Sequence, residues 1–158
     1  MVSITEGIIH LVTAGFGALG FSLIFNVRRE LLPAAAFGGL LDWGVYMMAE
    51  WFFGNGVFLP SVVAAAFASI YAEAMARVEK SPATVFYIPA LIPLIPGGSL
   101  YYTMSYAVLG QWDQVQSYGA STAYCALGIA VGMSLVLSVE FTFRKLTARN
   151  REKKQTSS

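Results

Sequence analysis

Charge is what this chain has least of. Only 12% of its 158 residues are Asp, Glu, Lys or Arg, about half the share of a soluble domain. Apolar segments long enough to cross a bilayer take their place, so the chain reads as an integral membrane protein. Cysteine is nearly absent. Cys125 alone excludes an internal disulfide, and its apolar setting reads as packing. The single histidine, His10, makes no metal site and falls near the outer end of the first apolar segment. No serine–histidine pair lies at a common depth, and there is no second mid-membrane aspartate and no metal-ligand spacing. An enzyme, a bound metal, a cofactor and a nucleic-acid partner are therefore not expected. The start of the chain lacks a basic leader region and contains Glu6, with no small-residue cleavage site before Arg28 and Arg29. The first apolar segment reads as retained.

Five spans are expected: Ile8–Val27, Leu31–Phe53, Val57–Ala76, Thr84–Leu109 and Tyr118–Phe143. Each reaches the roughly 20 residues that cross the hydrocarbon core. The basic residues set the orientation. Arg28 and Arg29 follow the first span, and Arg77 and Lys80 the third. The other six, Arg144, Lys145, Arg149, Arg151, Lys153 and Lys154, follow the fifth. The loops at 54–56 and 110–117 hold none. With five spans all ten fall on one side, which predicts an outside N-terminus and a cytoplasmic C-terminus. The fold class is thus an all-α bundle of about five transmembrane helices, a single domain over 1–146. Residues 147–158 read as a basic, disordered cytoplasmic tail.

Small residues recur at four-residue spacing: Ala14, Ala18 and Ser22; Ala68, Ala72 and Ala76; Gly128 and Gly132. Such faces let helices approach closely in lipid. Gly15, Gly17 and Gly20 match a dinucleotide fingerprint, but inside a membrane span they read as helix packing.

The fourth span is interrupted at Pro89–Gly98. Pro89, Pro93 and Pro96 share one helical face, and each removes an N–H and clashes with the carbonyl four residues earlier. The carbonyls of Val85, Pro89 and Ile92 are expected to lose their partners. Gly97 and Gly98 then offer a free turn, and Ser99 an N-cap for a half-helix from about Leu100. The start of that half-helix would seat a carboxylate. Pro93, Pro96, Gly97, Gly98, Ser99, Tyr101, Tyr102 and Asn26 are the candidate substrate residues. A kinked helix that only shapes the bundle is the plainer alternative.

Asp42 lies near the middle of the second span with no basic residue within a turn or two. A charge there costs about 2.5–3.5 kcal/mol on insertion scales. It must face a cavity or a partner or carry a proton, and is the first candidate for proton coupling. Glu73 is the second, although Glu73–Arg77 and Glu140–Arg144 also suit local ion pairs. Trp43, Trp51 and Trp112 read as packing or interface anchors.

Two segments carry a family resemblance. Leu91-Ile-Pro-Leu-Ile-Pro-Gly97, followed by Tyr101 and Met104, resembles the proline–glycine signature of the threonine/serine exporter family. Gly20-Phe-Ser-Leu-Ile-Phe-Asn-Val27 resembles its other marked segment. The length and five-span layout resemble the small subunit of its two-component members, as in split succinate exporters. The resemblance implies secondary export of threonine, serine or dicarboxylates such as succinate from a bacterial inner membrane. It also implies a partner, either a larger five-span subunit or a second copy of this chain, since no internal repeat is visible. A non-transporting scaffold or assembly subunit, or a small channel, remains the rival reading.

Overall fold

The computed structural model describes residues 4–54 and 56–156; the side chains of 4, 143, 144 and 146–156 lie outside the described residues. The backbone forms six α-helices and no strand among the described residues: α1 (Ile4–Ile24), α2 (Leu32–Phe53), α3 (Phe58–Val78), α4 (Thr84–Leu91), α5 (Gly97–Val108) and α6 (Trp112–Thr156). Helices α1, α2, α3 and the 112–142 part of α6 are each long and apolar enough to cross a membrane. Residues 84–94 and 97–108 are together apolar enough to form a further span, as a pair bent by 50° at the break. The expected all-α bundle of about five spans is the observed architecture, with four unbroken span candidates and a bent pair where the fourth, broken span was expected.

Punctuation between helices follows local chemistry. Pro33 stands in the first turn of α2, where a missing N–H costs nothing. Gly54 ends α2 at φ 79° and Gly110 follows α5 at φ 71°, a region only glycine enters freely. Asn26 ends α1 at φ 54°. Its N–H donates to the Leu23 carbonyl at 3.1 Å, and the Val27 N–H to the Ser22 carbonyl at 3.0 Å. This is a Schellman cap with asparagine in the left-handed position. Asn26→Val is expected to lower the stability of the detergent-solubilised protein by about 1–2 kcal/mol, and Asn26→Gly to be nearly neutral. Thermal unfolding of the pair checks this.

The bundle is closed by small side chains. Ala18, Ala35, Ala64, Ala65, Ala68, Ala72 and Ala90 are all buried, as is Ser22. All three expected small-residue faces contribute buried positions. A Cβ on Gly128 would meet the Phe58 carbonyl at 2.7 Å, and one on Gly132 would meet the Val62 carbonyl and, at 3.0 Å, the Ala65 Cβ. Helices α3 and α6 therefore touch backbone to backbone. Gly39 plays the same part for α2: its position is hemmed by the Ala18 Cβ, the Pro89 carbonyl at 3.2 Å and the Pro93 ring at 3.5 Å. The first of these contacts brings α1 onto α2, and the other two seat the broken span. Gly17 and Gly20, from the dinucleotide-like run, meet nothing within 4 Å and lie inside α1. No strand precedes them among the described residues, so the run is helix and not a nucleotide loop.

Candidate functional site

The break is built differently from the simplest expectation. Pro89 sits inside α4 and is fully buried. Residues 92–94 tighten into a single 3-10 turn, and Ile95 is extended. Pro96 has φ −77° and ψ 54°, and the Gly97 N–H reaches back across it to the Ile95 carbonyl at 2.7 Å. That is an inverse γ-turn. The direction change thus falls on Pro96. Gly97 and Gly98 are the first two residues of α5, and neither has a positive φ. Ser99 is the third helical residue and makes no capping bond; the cap position is Pro96. The Ile92 carbonyl is not orphaned, because the Ile95 N–H donates to it at 3.2 Å. The α5 start remains open: a Cβ on Gly97 or Gly98 would meet nothing within 4 Å.

Behind the break lies a cavity of about 200 Å³. The break supplies Pro93 through Pro96, and α5 supplies Ser99. Helix α2 adds Trp43 and Tyr46, and α6 adds Ser121 and Cys125. The Cys125 thiol donates to the Leu94 carbonyl at 3.4 Å, while Ser61 Oγ lies 3.4 Å from the sulfur and donates to the Val57 carbonyl at 2.7 Å. A soft donor from α6 thus serves a carbonyl at the break. No Lys or Arg lines this cavity.

Asp42 has no accessible surface, and neither carboxylate oxygen has a hydrogen-bond partner among the described residues. It precedes Trp43 and lies one turn before Tyr46, both of which line the cavity, but is not itself a lining residue. Trp43 stacks on Tyr46 with ring centroids 5.1 Å apart and approaches His10 at 6.4 Å.

The structure brings Pro93, Pro96 and Ser99 together at this cavity, with Gly97 and Gly98 at its edge in sequence. Tyr101 and Tyr102 lie further along α5 and are exposed. Tyr102 belongs instead to an aromatic group with Tyr106 and Tyr118. Asn26 is an exposed helix cap, away from the cavity wall. Glu73 is elsewhere: with Glu140 it flanks Arg77, at 3.6 and 3.1 Å respectively. Arg77 therefore ties α3 to α6, whereas the expected Glu140–Arg144 pair involves a side chain outside the described residues. Trp43, Tyr46, Ser121 and Cys125 were not among the expected site residues. Only tertiary packing puts them opposite the prolines.

A family model described as Threonine/Serine exporter, ThrE, matches residues 10–139, most of the chain and all five spans in whole or in part. The chain belongs to the threonine/serine exporter family. No solved structure matches it. As a member of the exporter family it is a multi-pass transporter-type membrane protein, and the broken span with its cavity falls wholly within the matched segment.

Proposed function

We propose that the chain is a subunit of a secondary exporter for a small metabolite bearing a carboxylate, bound at the break in the fourth span. One observation supports this: a fully buried carboxylate with no hydrogen-bond partner among the described residues, Asp42, is the chain neighbour of Trp43, which lines a small cavity at the helix break. Such breaks expose helix ends and carbonyls where substrate and coupling ion meet. The metabolite's carboxylate sits at the open start of α5, where free N–H groups and the helix dipole favour an anion. Asp42 meets the substrate's amine or carries the coupling proton.

Charge argues for a zwitterion such as threonine or serine over succinate. With no basic residue on the cavity wall, a dianion leaves one carboxylate without a cation. An amino acid matches one anion seat and one acid.

The chain works with a second half. Helix α5 has no buried residue, and Gly97 and Gly98 are exposed. Lipid cannot take up free backbone N–H groups, so a larger five-span subunit or a second copy covers this side. The proposed orientation puts the N-terminus outside and the basic end in the cytoplasm.

Exchange of labelled L-threonine in membrane vesicles tests the reading, with succinate as comparator. Gly98→Leu fills open space without a clash, so expression is expected to hold. Transport is expected to fall about ten-fold or more, the worth of one charge-assisted contact. Full transport by both Gly97→Leu and Gly98→Leu would place the carboxylate seat elsewhere. No exchange of either solute by the wild-type chain with its partner would favour a scaffold.

A further inference from the structure

We propose that Ser121 of α6 reads a hydroxyl on the metabolite's side chain, so that the cavity selects a hydroxy amino acid over its aliphatic isostere. This rests on the transport reading above and adds to it a specificity residue on the far wall.

A serine or threonine inside a membrane helix commonly satisfies its hydroxyl on the carbonyl four residues back. Helix α6 does this at Thr122, Ser134, Ser138 and Thr142, with oxygen–oxygen distances of 2.6–2.9 Å. Ser121, the chain neighbour of Thr122, departs from the rule. Its hydroxyl makes no bond among the described residues. The oxygen is not sealed in either. Ser121 is half-buried and lines the cavity at the break, whereas the sealed side-chain atoms without a partner belong to Asp42 and Trp43. The Ser121 hydroxyl is therefore open to whatever enters the cavity.

A second hydroxyl faces it. Helices α5 and α6 turn back on each other at Gly110, and the rings of Tyr102 and Tyr118 meet across the pair at 5.4 Å. One turn further from Gly110 along each helix stand Ser99 and Ser121, both on the cavity wall. The Ser99 hydroxyl likewise makes no bond among the described residues. Each hydroxyl offers a donor and an acceptor. Such a pair suits a third hydroxyl, which needs both. A carboxylate takes only donors and an ammonium supplies only donors. No charged side chain lines this cavity to draw either group to the pair. A site that pairs a substrate hydroxyl discriminates against the analogue lacking it, because its own polar groups are then stranded.

L-Threonine and L-valine supply the test, since they differ by a hydroxyl in place of a methyl. Vesicles from the source organism, with the chromosomal copy replaced by wild type or variant, hold the chain with its own second half. Exchange of labelled L-threonine above the deletion strain is measured, with L-valine as competitor. Wild type is expected to prefer L-threonine at least about ten-fold. Ser121→Ala breaks no bond within the protein and suits a helix, so its yield is expected to hold. Its KM for L-threonine is expected to rise about ten-fold, with inhibition by L-valine within about two-fold of wild type. A merely structural role would weaken both solutes alike and leave their ratio unmoved. Equal affinity of wild type for the two, or a preference that survives Ser121→Ala, overturns the inference and leaves the transport reading standing; the serines then hold water. Exchange of succinate alone also overturns the inference. No exchange of L-threonine or succinate above the deletion strain overturns both.

Discussion

Asp42→Asn is expected to cut transport about 100-fold while the protein becomes no less stable. The estimate follows from burial. Holding a carboxylate at mid-membrane costs about 3 kcal/mol, and an ionic contact that offsets that cost is worth about two decades in rate or affinity. Asparagine keeps the shape and removes the titratable acid. The carboxylate oxygens have no partner among the described residues, so no internal bond is lost to the change. Stability is expected to be equal or higher by thermal unfolding, with lower activity, the usual sign of a residue retained for function. Transport within two-fold of wild type would remove Asp42 from the mechanism. A fall in yield that parallels the fall in transport would make it a packing acid.

Gly132→Leu is expected to have the largest effect on the fold. The α3 backbone at Val62 and the Ala65 Cβ leave no room for a side chain there. Overpacking alone costs about 1–3 kcal/mol, and parting the helices forfeits further dispersion contacts. Dispersion is the main glue between helices in lipid. Loss of monodisperse protein after solubilisation is the expected readout. Gly17→Leu makes the comparison, since nothing lies within 4 Å of that position. It is expected to be neutral or to gain up to about 1 kcal/mol from helix propensity. Equal behaviour of the two variants would mean that the α3–α6 contact does not hold the bundle together.

Much of the fold was legible because membrane physics leaves few options. Span lengths follow from hydrocarbon thickness, and the small residues of α1, α3 and α6 announce close helix contacts before any coordinates. The broken span was legible as a break, but its internal geometry was not. Proline and glycine side by side do not say which of them turns the chain. The turn fell to Pro96, because a γ-turn closed by the Gly97 N–H leaves both glycines free to begin α5. The far wall of the site could not be read at all. Cys125 and Ser121 come from a helix some 30 residues later, and nothing local marks them. Trp43 looked like an anchor because its residue type favours interfaces; its unpartnered nitrogen is a tertiary fact.

The thiol donating to the Leu94 carbonyl has a practical consequence. It is the chain's only cysteine, and the S–H stretch absorbs where neither water nor the peptide backbone does. Any rearrangement that pulls α6 away from the break must release that bond and shift the band. The wild-type sequence therefore carries an unlabelled infrared reporter at the joint between the two halves of its broken span.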